Sequence, residues 1–284
     1  YFLRWGAEGI LFDCGEGTQR QMTFAGLSAR SITTICITHF HGDHCLGLPG
    51  VLQRISLDQV PHPVRVVYPK QGQEYVERLR DASIYYNQAQ LELVPVDVGE
   101  QPVEVLRSNE FVLSAAALEH RVPTIGFRVE DVPAYSFDAQ LLAQQGIVGK
   151  AVGELARNGV VEVDGVTHRL KDFTHQRTPT RFAFVMDTVP CLGATNLAKE
   201  ADLLVMEATY TDELKSQAAE HGHCTASDAA RTAQKARVRQ LALTHFSTRY
   251  STVEQHLAQA RAIHANTVAL NDLEKLTLSK AEIS

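Results

Sequence analysis

Short apolar runs alternate along this chain with stretches whose apolar positions recur every three or four residues. Runs of the first kind predict β-strands and runs of the second kind predict α-helices. The predicted strands cover residues 10–13, 34–38, 64–68, 91–95, 103–106, 111–118, 125–129, 181–186, 203–206, 241–243 and 268–270. The predicted helices cover residues 48–55, 73–82, 138–145, 194–199, 226–235 and 253–263.

Strands joined by helices indicate an α/β layered fold. The section 91–129 has strands without helices between them, which favours antiparallel pairing there. A sandwich of two mixed β-sheets with helices on its outer faces satisfies both observations.

One segment, residues 133–181, differs from the rest. It is rich in glycine and has poor periodicity, so we interpret it as an excursion from the core. Its last part, residues 168–181, is the most basic stretch that we find, with Asp172 as its one acid. The basic side chains there are Arg169, Lys171, Arg177 and Arg181. An ordinary solvated loop is the alternative interpretation.

Composition narrows the possible classes of protein. The 284 residues are 44% hydrophobic and 21% charged, as in a folded protein. The net charge of -6 means that any contact with nucleic acid needs a local basic patch or a metal ion. No apolar run is long enough to span a membrane. The five cysteines include no CxxC pair and no signal peptide is visible, so we expect a cytoplasmic protein without disulfides.

The strongest chemical signal is the run HFHGDH at residues 39–44, directly after an apolar strand. It places four metal-ligating side chains, those of His39, His41, Asp43 and His44, within six residues. Imidazole together with carboxylate suits zinc or a similar divalent ion. A chance cluster of histidines on a loop is the alternative.

Three further candidates each follow an apolar strand: His120, Asp187 and His245. Each of them alone is more typical of a histidine or aspartate that is simply hydrogen-bonded. Together they repeat one pattern, a strand followed by a ligand, and the ends of adjacent strands converge in space. Two metal ions about 3.5–4 Å apart need a bridging carboxylate, which favours Asp187 for that position.

These motifs resemble those of a known family. HFHGDH is similar to the metal-binding motif of the metallo-β-lactamase superfamily, and four flanking motifs resemble one branch of it, the ribonuclease Z family of tRNA 3′-processing endonucleases. They are LFDCGEGTQRQ at 11–21, LGLPG at 46–50, EHRVPTIGFR at 119–128 and LTHFSTRY at 243–250. The resemblance runs from residue 1 to about residue 250. It implies a single αββα sandwich domain whose first strand and glycine-rich loop precede Tyr1, where the numbering starts without Met.

The resemblance also implies a role for each candidate residue. It implies two Zn²⁺ per chain, one on His39, His41 and His120, the other on Asp43, His44 and His245, with Asp187 bridging them. Asp43 would also accept the proton of the nucleophilic water. Glu207 and His223 lie in motifs similar to the family's His-Glu-Ala-Thr and His-Ser-Thr and would pass a proton to the leaving oxygen. Met206 and Cys224 are departures, because they replace the His and Ser of these motifs. His223 as a residue that only precedes a helix is the alternative.

The implied reaction removes the 3′ trailer from precursor tRNA. Zinc lowers the pKa of a bridging water, the resulting hydroxide attacks the phosphodiester in line, and the products are a tRNA 3′-OH and a trailer with a 5′-phosphate. Ser247 and Arg249 follow His245 and are candidates to hold a phosphate, unless they form a simple turn. Residues 133–181 match the family's flexible tRNA-gripping arm, with Lys150, Arg169, Lys171, Arg177 and Arg181 as the candidate exosite. The family usually forms a homodimer.

Two other functions stay open at this point. The first is another hydrolase of this fold that acts on a small phosphodiester, a thioester or a lactam. The second is a non-catalytic RNA-binding or scaffold subunit. Zinc content and turnover of a simple phosphodiester separate the enzymes from the scaffold. Cleavage of precursor tRNA separates the ribonuclease from the other hydrolases.

Overall fold

A computed structural model describes residues 1–278 of the chain. Its strands are β1 (Phe2–Trp5), β2 (Glu8–Phe12), β3 (Thr34–Cys36), β4 (Val64–Pro69), β5 (Leu91–Val96), β6 (Val103–Arg107), β7 (Phe111–Leu118), β8 (Thr124–Asp131), β9 (Tyr135–Phe137), β10 (Val160–Val163), β11 (Val166–Arg169), β12 (Thr174–Gln176), β13 (Arg181–Val185), β14 (Leu203–Glu207), β15 (Gln240–Thr244) and β16 (Thr267–Ala269). Its α-helices are α1 (Thr18–Phe24), α2 (Gly42–Cys45), α3 (Leu48–Leu57), α4 (Gln73–Arg80), α5 (Ala139–Gln144), α6 (Lys150–Asn158), α7 (Leu192–Ala198), α8 (Lys215–His221), α9 (Ala226–Lys235) and α10 (Glu254–Arg261). Every predicted strand and helix is present, with ends that differ by at most two residues.

The chain divides into two compact units, one formed by Tyr1–Glu130 with Thr180–Ser284 and one formed by Asp131–Pro179. The first unit holds two mixed sheets. One has the order β1-β2-β3-β4-β5, and the other has the order β16-β15-β14-β13-β8-β7-β6. This is the predicted metallo-β-lactamase αββα sandwich of two mixed sheets flanked by helices.

Alternating side chains explain why the sheets form a sandwich. In β13, Phe182 and Phe184 lie in the core shared by strands of both sheets, whereas Ala183 and Val185 lie in the core with α7 and α9. In β2, Leu11 faces a third core that includes α1, α3 and α4. Because neighbouring positions of a strand point to opposite faces, each sheet is covered on both sides.

The expectation of an antiparallel section over 91–129 is partly wrong. β6 pairs antiparallel with β7, and β7 lies beside β8 across a connection too short for a parallel crossover, but β5 pairs in parallel with β4 in the other sheet. The physical reason is the helical crossover through α4, which brings the chain back for a second parallel strand.

The second unit is more regular than predicted. Residues 133–181 gave poor periodicity, yet Asp131–Pro179 contains α5, α6 and the antiparallel pairs β10–β11 and β9–β12. These elements surround a small core of Leu142, Ile147, Leu155, Val161 and Phe173. The helices α5 and α6 each bury a single side chain, Leu142 or Leu155, and β9 buries none, so no hydrophobic period is visible in the sequence.

Candidate metal centre

The candidate ligands converge at one edge of the sandwich because of strand direction. His39 follows β3, Asp187 follows β13 and His245 follows β15. β7 and β8 are neighbours in this sheet and are joined by only five residues, too few for a parallel crossover, so β7 runs antiparallel to β8 and parallel to β13. His120 follows the end of β7. The carboxyl ends of these strands therefore deliver their ligands to the same edge.

Three residues at this edge share an unusual backbone. Asp13, Asp187 and His245 have φ of 50°, 50° and 58°, the left-handed region that residues with a Cβ avoid. Asp13 and His245 come directly after a strand and Asp187 comes two residues after β13, where the turn redirects the side chain across the edge. Non-glycine residues in this conformation are typical of functional sites, because the surroundings must hold the strain.

Asp43 and His44 reach the centre on the short helix α2, whose first turn follows His41. The backbone there is clamped to the 11–21 motif. The Cys14 N–H donates to the His44 carbonyl at 2.8 Å, and the Gly47 N–H donates to the Cys14 carbonyl at 2.7 Å. A Cβ on Gly47 would lie 1.9 Å from the Gly15 carbonyl oxygen, so glycine is needed for this close approach.

The first ligand group consists of His39, His41, His120 and Asp187. The His39 Nε2 lies 2.9 Å from the His41 Nδ1, and the His120 Nε2 lies 3.3 Å from the same atom. The Asp187 Oδ2 lies 3.6 Å from the His39 Nε2 and 3.9 Å from the His120 Nε2. Ligands of a tetrahedral zinc ion, each about 2.0–2.1 Å from it, lie about 3.3 Å apart, so this spacing fits one ion.

The second group consists of Asp43, His44 and His245. The His44 Nε2 lies 3.3 Å from the His245 Nε2 and 3.4 Å from the Asp43 Oδ2. Asp187 also faces this group, with its Oδ2 3.4 Å from the His44 Nε2 and its Oδ1 3.3 Å from the His245 Nε2. The one carboxylate therefore lies between both groups.

The charges and donors of the site fit divalent cations. The Asp187 Oδ1 is buried and has no hydrogen-bond partner among the described residues, which is costly unless a cation is its partner. Burial lowers the pKa of His39 to about 3, so that ring is neutral, the form that binds metal. Burial raises the pKa of Asp187 less than the facing His44 and His245 lower it, so this carboxylate is ionised.

Asp13 holds two parts of the centre in place. Its Oδ2 lies 2.7 Å from the His44 Nδ1 and accepts from the Thr38 hydroxyl at 2.9 Å, and its Oδ1 accepts from the Thr38 N–H at 2.8 Å. The Thr38 hydroxyl in turn lies 3.0 Å from the His39 Nδ1. Such partners fix the orientation of a ligating imidazole and leave its other nitrogen for the metal.

Glu207 is fully buried and is linked to His223 directly and to His245 through Thr209. Its Oε1 lies 3.0 Å from the His223 Nδ1, and its Oε2 accepts from the Thr209 hydroxyl at 2.5 Å. That hydroxyl lies 3.0 Å from the His245 Nδ1. The His223 ring centroid lies 5.2 Å from that of His120 and 5.6 Å from that of His245, so His223 contacts a member of each ligand group.

The two departures from the family motifs leave this pair intact. Met206 is fully buried in the core beside α7 and α9. The Cys224 thiol donates to the Thr188 carbonyl at 3.0 Å, as a serine hydroxyl also could, and the Cys224 N–H donates to Glu207 at 3.2 Å. All five cysteines are free.

The remaining predicted residues lie outside the ligand groups. Ser247 and Arg249 follow His245, and the Arg249 Nε donates to the Ser247 hydroxyl at 3.1 Å. Lys150, Arg169, Lys171 and Arg177 are exposed in the second unit. Arg181, by contrast, belongs to the first unit, where it pairs with Glu130 at 3.1 Å and with Glu200 at 3.4 Å.

Sequence reasoning assigned no role to Asp13, Thr38 or Thr209, although the quoted motifs contain Asp13 and Thr209. Asp13 had a usable signal, since it follows an apolar run as the metal ligands do. Thr38 and Thr209 had none, because a threonine at a strand end is common without any such role.

Comparisons with known proteins show which family the chain is similar to. The sequence model of the metallo-beta-lactamase superfamily matches residues 1–126. Ribonuclease Z of Nocardia farcinica is 47% identical over 98% of this chain and 91% of the relative, and ribonuclease Z of Thermobifida fusca is 48% identical over 95% and 85%. Among solved structures, human tRNase Z, short form, superposes with a TM-score of 0.67 at 28% identity, over 98% of this chain and 92% of that chain.

Proposed function

The chain belongs to the ribonuclease Z family, and we propose that it is the endoribonuclease that removes the 3′ trailer from precursor tRNA. The observation that carries the proposal is the pair of ligand groups with Asp187 between them. A centre for two metal ions suits phosphodiester hydrolysis, because two cations can stabilise the attacking and the leaving oxygen together.

Five imidazoles and two carboxylates form a donor set that suits zinc. One Zn²⁺ would be held by His39, His41 and His120 and the other by Asp43, His44 and His245, with Asp187 shared. When bound, such ions activate water near neutral pH and neutralise the charge of the phosphate. That neutralisation lets a chain with a net charge of -6 approach RNA at this edge.

Side chains of the protein accept and donate the protons of the reaction. Hydrogen bonds from His245 and His44 lower the pKa of Asp43, so its carboxylate is ionised. The role that we propose for it is to accept a proton from the attacking water. Its side chain is the most exposed of the candidate ligands that form ion pairs, which leaves it open to substrate. Glu207 holds the His223 Nδ1, so the Nε2 is the ring atom that donates a proton to the leaving 3′ oxygen. Ser247 and Arg249 hold a neighbouring phosphate.

Product mapping tests this function. The zinc-loaded protein should cut a 3′-extended precursor tRNA once, next to the mature end, and leave a tRNA 3′-OH and a trailer with a 5′-phosphate. A chelator should stop the reaction. Hydrolysis of a small phosphodiester without cleavage of precursor tRNA would instead identify another hydrolase of this fold.

We propose that the second unit grips tRNA, and its removal gives the first prediction. Glu130 and Arg181 are register partners of β8 and β13, so a two-residue Asn-Gly turn that replaces residues 131–180, the second unit plus one residue, closes a hairpin between them. No proposed ligand lies in this unit, so hydrolysis of a small phosphodiester should persist. Cleavage of precursor tRNA should fall about 100-fold or more, because remote binding energy positions the scissile bond.

Charge variants distinguish tRNA binding by basic side chains from an effect of the unit's size alone. The unit as a whole is not basic, since its six Asp and Glu exceed its five Lys and Arg. Binding of a polyanion would then depend on the local cluster of Arg169, Lys171 and Arg177, and replacing these three with alanine should weaken tRNA binding and its salt dependence. Arg181 is left out because it pairs with Glu130 and Glu200. The matched control replaces Glu162, Asp164 and Asp172 with their amides and should not weaken binding. Full cleavage by the deletion variant would reject the gripping role.

We also propose that the protein is a cytoplasmic homodimer. Support comes from an exposed apolar patch beside α3, called the α3 patch, formed by Leu57 at the end of α3 and by Ile84 and Tyr86 in the loop after α4, which are 76%, 106% and 83% exposed. The loop that carries it is fixed to α3, since the Ser56 hydroxyl donates to the Tyr86 carbonyl at 3.0 Å. Within the described residues no helix is long and apolar enough to cross a membrane.

The second prediction tests the α3 patch. The protein should sediment at twice the chain mass of 31.3 kDa, and the double variant Ile84→Asp, Tyr86→Asp should sediment as a monomer. Burying a carboxylate in an apolar interface without a partner opposes association. The control Val103→Asp, at an exposed position of the edge strand β6, should stay dimeric. A dimer that survives the double variant places the interface elsewhere.

A further inference from the structure

A histidine that the chemistry above does not use is buried on α10. His256 and Ala260, four positions apart on this helix, are its two buried residues and form the stripe that faces the protein. His256 is fully buried, and neither of its ring nitrogens has a hydrogen-bond partner among residues 1–278. Such a residue normally costs stability compared with an apolar side chain of the same shape, so its presence calls for an explanation.

The ring of His256 contacts two aromatic rings of the segment that follows His245. Its centroid is 5.0 Å from that of Phe246 at an interplanar angle of 71°, and 4.6 Å from that of Tyr250 at 85°. Both contacts are edge-to-face, an attractive arrangement of flat rings. Burial lowers the pKa of His256, so the ring is neutral and acts as an uncharged wedge.

Phe246 and Tyr250 bracket the two candidate phosphate-binding residues, Ser247 and Arg249. The bracketed turn closes through the Tyr250 N–H, which donates to the Ser247 carbonyl at 3.1 Å. The Tyr250 end of the turn is fixed by the Thr211 N–H, which donates to the Tyr250 hydroxyl at 3.0 Å. His256 contacts both aromatic ends of this turn, and no contact between His256 and a proposed metal ligand is present among the described residues.

Arg249 also contacts residues outside the turn. Its guanidinium lies 4.9 Å from the centroid of the Tyr210 ring, and its second nitrogen donates to the Gln217 side chain at 2.8 Å. The Ser247 N–H donates to the Thr209 carbonyl at 3.1 Å, which fixes the turn beside the residue that contacts His245. A shift of Phe246 or Tyr250 would therefore move the Ser247 hydroxyl and the Arg249 guanidinium away from the centre's edge.

We propose that His256 is a positioning residue, whose ring wedges Phe246 and Tyr250 apart and so holds Ser247 and Arg249 in the geometry that binds a substrate phosphate. This inference rests on the proposed phosphodiester chemistry of the centre. It concerns substrate binding, because the ring acts on the turn after His245 and not on the ligands or on the Glu207–His223 pair.

The test compares His256→Ala and His256→Phe with the zinc-loaded wild-type protein, using bis(p-nitrophenyl) phosphate and precursor tRNA. The alanine variant should raise KM about tenfold or more with kcat within about threefold and zinc content unchanged, because a charge-assisted phosphate contact is misplaced. The phenylalanine variant keeps a flat ring and should restore KM. It should also melt at the same or a higher temperature, since it removes two unpartnered nitrogens.

A matched control comes from the same region of the chain. His264 follows α10, and its Nε2 lies 2.9 Å from the Val238 carbonyl oxygen. His264→Ala should lower the melting temperature without changing KM. The proposal is overturned if His256→Ala lowers the melting temperature with KM unchanged, if it loses zinc, or if the phenylalanine variant binds as poorly as the alanine variant. Failure of the wild-type protein to cut precursor tRNA while it hydrolyses the small diester would count against the proposed function alone.

Discussion

Replacing Asp187 with alanine is expected to abolish cleavage of precursor tRNA and to lower the affinity for both metal ions at once. The two oxygens of this carboxylate face His39, His44, His120 and His245 at 3.3–3.9 Å, so neither ligand group keeps its arrangement without it. Removing the negative charge of Asp187 would also leave the cations proposed for this buried site without a carboxylate partner. We expect a loss of activity of about 10⁴ or more, as for a residue on which the whole centre depends.

The measurement combines elemental analysis with initial rates. Asp202→Ala is the matched control, since Asp202 lies at the opposite end of the same sheet, just before β14, where it accepts from the Arg181 N–H at 2.8 Å. The control should keep its metal and its activity. An Asp187→Ala variant that keeps two ions with normal affinity would show that Asp187 is not shared between them.

The second large effect is expected for His223→Ala. This variant should keep both metal ions and lose cleavage of precursor tRNA by a factor of about 10² or more, because the leaving 3′ oxygen is no longer protonated. The hydrogen bond from His223 to the buried Glu207 carries this expectation. Glu207→Gln should reduce the rate in the same direction, since the amide no longer stabilises a charged imidazole.

The leaving group separates proton transfer from metal binding. p-Nitrophenolate leaves without protonation, so His223→Ala should be far less impaired on bis(p-nitrophenyl) phosphate than on tRNA. His62→Ala, at a surface position just before β4, should be normal on both substrates. His223 also lies within reach of Asp187 and His245 as a third possible ligand group. If His223→Ala loses metal, or is equally impaired on both substrates, then His223 is a ligand and not the proton donor.

The sequence predicts the sandwich well because the strands carry their own signal. β7 and α9 have the predicted bounds, since one buries alternate residues and the other begins at a capping box of Thr225 and Asp228. The sequence does not predict α1 and α8, because each buries a single side chain, Met22 or Ala218, and is otherwise mostly polar. An element without an apolar stripe gives no period to detect.

The candidate site likewise contains residues that a sequence pattern predicts and residues that it does not. Ligands that follow buried strands are visible in a sequence because strand and ligand occur together, as at His245. Partners that act through geometry are not visible. The hydroxyl of Thr209 joins Glu207 to His245 only because β14 and β15 are neighbours in the sheet. The role proposed for His256 likewise depends on the contacts of a helix with a turn that precedes it.

The central claim is that the two ligand groups form one dinuclear centre that cuts precursor tRNA. The most direct test is to add Zn²⁺ stepwise to metal-free protein and to measure cleavage of a 3′-extended precursor tRNA at each step. We predict no cleavage without metal and a plateau at about two ions per chain. Cleavage by the metal-free protein, or a plateau at one ion, would contradict the account.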